Sequence, residues 1–198
     1  MGLGLVGKSS HQEGTTVLKG ERVILRPPVL DDFEEWAALR ETSRDFLEPW
    51  EPTWAGDELS KAAFKRRLRQ YTADAREGAG YAFFIERGND GALVGSLTLF
   101  GVNRGVSQSC SIGYWLGRAY AQRGYMSDSL KTVMPFVFGT LGLHRLEAAC
   151  IPDNESSRLL LLHNGFRQEG YARQYLKING RWRDHLLFAR LESDPPLR

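Results

Sequence analysis

The sequence has few cysteines, no long apolar segment and almost no net charge. Only two cysteines occur among 198 residues, which is too few for a disulfide framework, so we expect two reduced thiols. No apolar run approaches the roughly 18 residues that a membrane-spanning helix needs, and no signal peptide is expected at the N-terminus. The 26 basic and 24 acidic residues nearly cancel, unlike the charge of a dedicated nucleic-acid binder. We therefore expect a cytoplasmic protein with no membrane partner and no direct nucleic-acid binding.

Metal-binding patterns are also missing, since the four histidines show no spacing typical of a metal site. We expect no metal. What the chain does have is enough apolar sequence, 42% of its residues, to bury one substantial core. We expect one domain at 20–192, a mobile N-terminal tail at 1–19 and a C-terminal tail at 193–198.

Hydrophobic periodicity predicts an α+β (mixed α/β) fold. The predicted order is β-α-α-β-β-β-α-β-α-β-β, with one central, mixed but largely antiparallel sheet of about seven strands and helices on both faces. Pro135 lies inside the third helix, where an interior proline costs about 3 kcal/mol, so we expect a bend or an irregular turn there. The strands are predicted at 22–26, 81–86, 93–100, 110–116, 145–151, 170–178 and 182–191.

A turn containing glycine leads directly into that third helix. Its sequence is Gln122-Arg123-Gly124-Tyr125-Met126-Ser127. The first N–H groups of a helix have no partner inside the helix, so a glycine turn at this point forms a site for an anion such as a pyrophosphate. A simple turn glycine is the other interpretation of Gly124.

A second polar stretch begins the next helix. Asn154 starts it, Ser157 lies in its first turn, and it runs into Asn164-Gly165-Phe166. Asn154 can reach a neighbouring ligand, but it is also a good helix N-cap, and both roles can hold together.

The turn resembles the CoA-binding motif of the GNAT superfamily of acetyl-CoA-dependent N-acetyltransferases. The family pattern Gln/Arg-x-x-Gly-x-Gly/Ala corresponds here to Ala121-Gln122-Arg123-Gly124-Tyr125-Met126, which departs from it at Ala121 and Met126. The resemblance implies a GNAT-like domain with acetyl-CoA as acetyl donor. It further implies that the residues from Gln122 to Ser127 bind the pyrophosphate, that the strand ending at Trp115 and Leu116 pairs with the pantetheine arm, and that Asn154 and Ser157 lie near the cofactor.

Further motifs resemble the ribosomal-protein-alanine N-acetyltransferases within that superfamily. They are Trp50-Glu51-Pro52, Asn164-Gly165-Phe166, Glu169-Gly170-Tyr171-Ala172 and Trp182-Arg183-Asp184-His185, within a resemblance that spans about 21–191. It implies transfer to the α-amine of a protein N-terminus, with a ribosomal protein as partner and a monomer or homodimer as the assembly. Two alternatives stay open: acetylation of a small-molecule amine such as an antibiotic or toxin, and a non-catalytic acyl-CoA sensor.

The catalytic groups are less clear from the sequence. Many GNAT enzymes have a tyrosine general acid at the position of Leu161, so Ser157 is the best remaining candidate to protonate the leaving thiolate. Glu147, on the preceding strand, is the nearest carboxylate for a general base, although a salt bridge would also explain it. An α-amine has a pKa near 7.7–8.0 and needs a base less than a lysine near 10.4 does. The lack of an obvious strong base therefore favours an N-terminal amine.

Candidate substrate-binding residues lie on a proline-bounded loop and on a late strand. Phe46, Trp50 and Glu51 belong to the loop, where Trp50 could form a wall of a peptide slot and Glu51 could pair with an ammonium group. Tyr175 lies on the penultimate strand. Hydrophobic cover over the core is the alternative for these aromatic residues.

Overall fold

The computed structural model describes residues 16–196, which form one continuous sheet with helices on both of its faces. The sheet has eight strands, one more than expected, because Leu18–Lys19 adds a short strand at one edge. The strands are β1 (Leu18–Lys19), β2 (Val23–Arg26), β3 (Tyr81–Arg87), β4 (Leu93–Asn103), β5 (Ser109–Leu116), β6 (Arg145–Cys150), β7 (Arg167–Ile178) and β8 (Arg181–Leu191).

Five α-helices connect the strands in the described part of the chain, one more than expected, because a four-residue helix follows directly after the first one. They are α1 (Phe33–Thr42), α2 (Arg44–Leu47), α3 (Lys61–Glu77), α4 (Tyr125–Pro135) and α5 (Glu155–His163). Their ends follow local chemistry: the Ser60 side chain accepts a hydrogen bond from the Ala63 N–H at the start of α3, and Gly78 ends that helix in the left-handed conformation. Short 3₁₀ turns occur at Leu30–Asp32, Glu48–Trp50 and Arg118–Tyr120.

The strand order across the sheet is β1-β2-β3-β4-β5-β6-β8-β7. Neighbouring strands are antiparallel except for β5 and β6, which are parallel and connected through α4. The mixed, largely antiparallel sheet expected from the sequence is confirmed.

The helices cover both sheet faces because adjacent strand residues point to opposite sides. Phe83 and Phe84 on β3 illustrate this, since they belong to different buried clusters. The larger cluster contains Leu130 of α4 and Leu161 of α5. The smaller cluster contains Trp36 of α1, together with Phe64 of α3. The face with α4 and α5 and the face with α1 and α3 are therefore opposite sides of one sheet.

Helix α4 becomes irregular where the sequence predicts it. The α-helical residues end at Pro135, and Phe136–Thr140 continues as a π-helical segment. Proline provides no N–H for the helical ladder, which explains the change of geometry at this position. The turn between β7 and β8 has φ of 43° at Asn179 and 76° at Gly180, the left-handed values that make Asn-Gly a favourable hairpin turn.

Parts of the predicted tails lie outside the described residues. Within residues 16–196, no helix is both long and apolar enough to cross a membrane. The same part of the chain contains no group of three or more His, Cys, Asp or Glu side chains arranged to hold a metal ion.

Candidate active site

The centre of the sheet splits between β5 and β6. Their pairing covers only Ser109–Ser111 on β5 and Arg145–Glu147 on β6. Beyond these residues β5 continues along β4 up to Leu116, whereas β6 continues along β8 up to Cys150. The two strands therefore diverge, and a gap opens toward their carboxyl ends.

Backbone groups of β5 face this gap. The Gly117 N–H donates to the Val94 carbonyl at 2.9 Å, so the odd-numbered residues of β5 direct their N–H and C=O groups to β4. In an antiparallel ladder the direction alternates from residue to residue. The backbone groups of Tyr114 and Leu116, beyond the last pair with β6, consequently point into the gap, where they can pair with an extended ligand in place of β6.

The N-terminus of α4 lies past the same end of β5. Gly124 has a φ of 83° and Gln122 a φ of 56°, so the chain turns sharply just before the helix. The Asp128 N–H donates to the Gly124 carbonyl at 3.0 Å as the first helical hydrogen bond. The N–H groups of Tyr125, Met126 and Ser127 precede it and have no helical partner, as an anion site requires. The Met126 side chain is buried in the core, so the departure from the family motif at this position leaves the turn backbone accessible.

Arginine side chains surround this turn. The Arg22 guanidinium donates to the Arg123 carbonyl at 2.7 Å and lies 4.9 Å from the centre of the Tyr125 ring. A Cβ atom at Gly124 would lie 2.9 Å from Nη1 of Arg22. Arg87 lies 5.5 Å from the Tyr120 ring. The cationic groups and the free N–H groups fit a phosphate-containing ligand, and glycine keeps the approach open.

Ser157 lies at the other end of the gap, between the two diverging strands. Its hydroxyl is 2.7 Å from the Tyr114 hydroxyl on β5, and it tends to lower the pKa of the Cys150 thiol on β6. Burial nevertheless raises the pKa of Cys150 to about 11, and it raises the pKa of Tyr114 still further from its ordinary value. Both groups therefore keep their protons at neutral pH.

Asn154 and Asn164 determine where α5 lies. The Asn154 carboxamide accepts from the Ser157 N–H at 3.1 Å, so Asn154 is the N-cap of α5. Asn164 is completely buried, donates to the Leu160 carbonyl and accepts from the Ser127 hydroxyl of α4 at 3.0 Å. These bonds fix the glycine turn before α4 and the Ser157 turn relative to each other. A contact of Asn154 with the cofactor stays a prediction.

Glu147 lies where the two strands begin to separate. Its carboxylate accepts from Nε of Arg145 at 2.7 Å, and Arg145 also pairs with Glu169. Because residues alternate along β6, Glu147 faces the side of the sheet opposite to Cys150. The salt bridge is the structural role that the sequence left open, and the role of general base stays a prediction.

Glu51 belongs to a buried cluster beneath the proline-bounded loop. Its carboxylate accepts two hydrogen bonds from Arg40, at 2.6 and 2.8 Å, and one from the Trp54 indole at 2.8 Å. The Arg40 guanidinium lies between the rings of Trp54 and Trp115, at 4.3 and 4.9 Å from their centres. Three donors on the carboxylate leave one lone-pair site, on Oε1, for any further partner such as the predicted ammonium group.

The other predicted substrate residues surround this loop. Trp50 is 36% exposed, and the Phe46 ring has the Arg118 guanidinium 5.8 Å from its centre. Tyr175 on β7 is half exposed and packs against the His185 ring. The tip of the β7–β8 hairpin contacts the loop directly, because the Asn179 N–H donates to the Glu51 carbonyl at 2.8 Å. The loop and the hairpin tip thus form one connected surface.

Sequence reasoning did not find three residues of this region: Tyr114, Arg40 and Trp54. Side chains alternate between the two faces along β5, and this alternation places Tyr114 on the face that α5 covers. That pattern could have identified Tyr114 from the sequence. Trp115, its neighbour, directs its side chain to Arg40 instead, and Leu116 packs against the main core. Any contact of these two residues with a cofactor would therefore involve the backbone.

Comparison with known proteins agrees with this geometry. The family model described as acetyltransferase (GNAT) domain matches residues 22–167. A probable N-acetyltransferase, YjcK, from Bacillus subtilis (strain 168) is 35% identical over 90% of this chain and 98% of its own length. A [ribosomal protein uS5]-alanine N-acetyltransferase from Escherichia coli (strain K12) is 30% identical over 89% of this chain and 91% of its own.

A solved structure described as Mycobacterium smegmatis RimJ in complex with CoA-disulfide superposes with a TM-score of 0.83. It is 35% identical, and the match covers 90% of this chain and 87% of that one. The split sheet and the glycine turn at α4 therefore occur in a chain that matches acetyltransferases over most of its length. The chain belongs to the GNAT acetyltransferase family and is an N-acetyltransferase.

Proposed function

We propose that this enzyme transfers the acetyl group of acetyl-CoA to the α-amine of a protein N-terminus, specifically an N-terminal alanine of a ribosomal protein. The observation that carries the proposal is the gap between β5 and β6, which opens toward the free N–H groups of α4. An extended, phosphorylated thioester can pair along the backbone groups of β5 that face the gap and place its phosphates at the N-terminus of α4. The relative named for alanine acetylation of uS5 supports the acceptor.

The donor binds through both ends of the gap in this proposal. The N–H groups of Tyr125, Met126 and Ser127 and the guanidinium of Arg22 hold the pyrophosphate, since helix N-termini and arginines favour phosphate groups. The backbone of β5 pairs with the pantetheine arm. One N–H of β5 that faces the gap also stabilises the negative charge on the thioester oxygen.

The acceptor enters beside the Trp50 loop and the hairpin tip. Its nitrogen forms a bond to the thioester carbon, and the C–S bond breaks. The Ser157 hydroxyl gives its proton to the leaving sulfur, while the Ser157 oxygen receives the proton that the nitrogen loses. The products are an N-acetylated chain and a free thiol, and most of the rate acceleration comes from holding the reactants together.

An α-amine fits this site better than a lysine does, because the described residues around the gap include no strong base that lacks a partner. Glu147 already pairs with Arg145. At neutral pH a useful fraction of an α-amine with a pKa of about 8 is uncharged, whereas almost none of a lysine side chain is. The acceptor itself therefore supplies the neutral nitrogen.

Matched peptides test the proposal. A peptide with a free N-terminal alanine and an internal lysine should release thiol from acetyl-CoA, and the same peptide with a blocked N-terminus should not. A third copy that starts with serine measures the preference for alanine. The rate should rise with pH and level off near about 8, not near 10. Equal rates for the free and blocked peptides would refute the α-amine, and turnover restricted to small amines would point to an antibiotic or toxin acceptor.

A further inference from the structure

The hydrogen bond between Tyr114 and Ser157 joins the two sides of the gap. Tyr114 lies on β5 beyond the last residue that pairs with β6, and Ser157 lies in the first turn of α5. Their hydroxyl oxygens are 2.7 Å apart. Burial raises the pKa of the Cys150 thiol at the end of β6, and the Ser157 hydroxyl lowers it in part. The pair formed by Tyr114 and Ser157 therefore spans the gap at the point where β5 and β6 have separated.

We propose that Tyr114 is a positioning residue, whose hydroxyl holds the Ser157 hydroxyl with its proton directed at the leaving sulfur. This inference rests on the proposed function, because it concerns the step in which the C–S bond breaks. It does not involve the loss of a proton from Tyr114, which stays neutral throughout.

The direction of the hydrogen bond follows from the chemistry of the two groups. A serine hydroxyl has one proton and rotates freely, whereas a buried phenol needs an acceptor for its own proton. Burial raises the pKa of Tyr114, so the phenol keeps its proton over the whole pH range of an assay. If Tyr114 donates to Ser157, the Ser157 proton is available for another acceptor. If Ser157 donated instead, the phenol proton would be left desolvated without this acceptor, which is costly.

The proton balance stays within the reacting groups. As the sulfur leaves with the electron pair of the C–S bond, it takes the Ser157 proton. The Ser157 oxygen takes the proton from the acceptor nitrogen, now bonded to the acetyl carbon. Tyr114 only fixes the orientation. The position at which related enzymes have a tyrosine is occupied here by Leu161, which is completely buried in the core and has no proton to give.

Three variants test the inference: Tyr114→Phe, Ser157→Ala and the double variant. Loss of one orienting hydrogen bond should lower kcat of Tyr114→Phe by about 3–10-fold. Ser157→Ala should lose about 100-fold, the low end of general acid catalysis. The double variant should match Ser157→Ala, since Tyr114 acts only through Ser157. Tyr81→Phe is the control, because Tyr81 is a half-buried phenol that packs against Phe136 and lies on β3, which β4 separates from β5.

A merely structural Tyr114 would give a different result. The loss caused by Tyr114→Phe would then appear again in the Ser157→Ala background, and that outcome would overturn the inference. It would leave the proposed function untouched, which fails only if the unmodified protein acetylates no peptide N-terminus.

Binding of CoA provides a readout that needs no turnover. The bound thiol should titrate at a lower pH in the unmodified protein than in Tyr114→Phe or Ser157→Ala, measured by the ultraviolet absorbance of the thiolate. The two cysteines stay silent in this range because burial raises the pKa of Cys150 to about 11 and that of Cys110 to about 12. Desulfo-CoA gives the baseline. Identical thiol titrations in all three proteins would contradict the orientation role.

Discussion

The variant Gly124→Val, compared with a matched control, separates two properties of the glycine turn: its backbone strain and its predicted role in binding phosphate. Gly124 has a φ of 83°, which costs a residue with a side chain about 1–2 kcal/mol or more, and its new Cβ would lie 2.9 Å from Nη1 of Arg22. Arg22 can move because this atom is the end of a flexible side chain. It then leaves the Arg123 carbonyl, and the valine methyl groups cover the N–H groups of α4.

The expected loss of affinity follows from the contacts removed. A hydrogen bond to a charged group is worth about 1.5–3 kcal/mol, so losing one raises the Kd for acetyl-CoA by roughly 10–100-fold, and losing two raises it further. Calorimetry measures the Kd. Thermal unfolding gives a second measure, because ligand at about 100 times its Kd adds about 2.7 kcal/mol to the free energy of unfolding.

Gly91→Val is the matched control for this experiment. Gly91 has a φ of 73° in the turn between β3 and β4, and a Cβ there would meet no atom within 4 Å. Both variants should therefore lose comparable stability from backbone strain, but only Gly124→Val should lose affinity for acetyl-CoA. Equal Kd values for the two variants would refute the phosphate-binding role of the turn. An unchanged melting temperature of the unmodified protein at saturating acetyl-CoA would refute the donor assignment altogether.

Two further predictions concern buried groups. Glu51→Gln leaves Arg40 with a neutral partner and should cost about 3 kcal/mol of unfolding free energy, or roughly 6–12 °C in melting temperature. The control Glu41→Gln alters the exposed pair with Arg44 and should cost less than about 1 kcal/mol. Similar losses for both variants would show that the Arg40 cluster does not stabilise the loop. Burial raises the pKa of Cys150 to about 11, above the value of about 8.5 for a cysteine in the unfolded chain, so the folded state favours the protonated thiol. The contribution of this thiol to the free energy of unfolding is complete below about pH 8.5 and is lost as the pH rises through 11. Alkylation of Cys150 by iodoacetamide should accordingly stay slow at pH 8, and rapid alkylation of the folded protein there would contradict the burial.

The sequence by itself determined most of the secondary structure and the glycine turn that begins α4. Local chemistry was sufficient in these places: a proline interrupts α4 because it lacks an N–H, Asn179-Gly180 forms a tight hairpin turn, and Gly124 begins a helix whose first N–H groups have no partner. These features depend on neighbours in the chain. A pattern of residues therefore predicts them without knowledge of the fold.

Only the tertiary structure decided which side chains meet across the gap. Tyr114 and Ser157 are 43 positions apart, and they meet because β5 and β6 separate after Ser111 and α5 lies over the opening. Strand divergence has no local sequence signature, because it results from β5 following β4 while β6 follows β8. The tertiary structure also decided the partner of Glu51, for which the sequence suggested an ammonium group of the substrate. Its main partner is Arg40, a buried cation that the packing of α1 brings within 2.6 Å, because a charge taken out of water needs its counterpart close by.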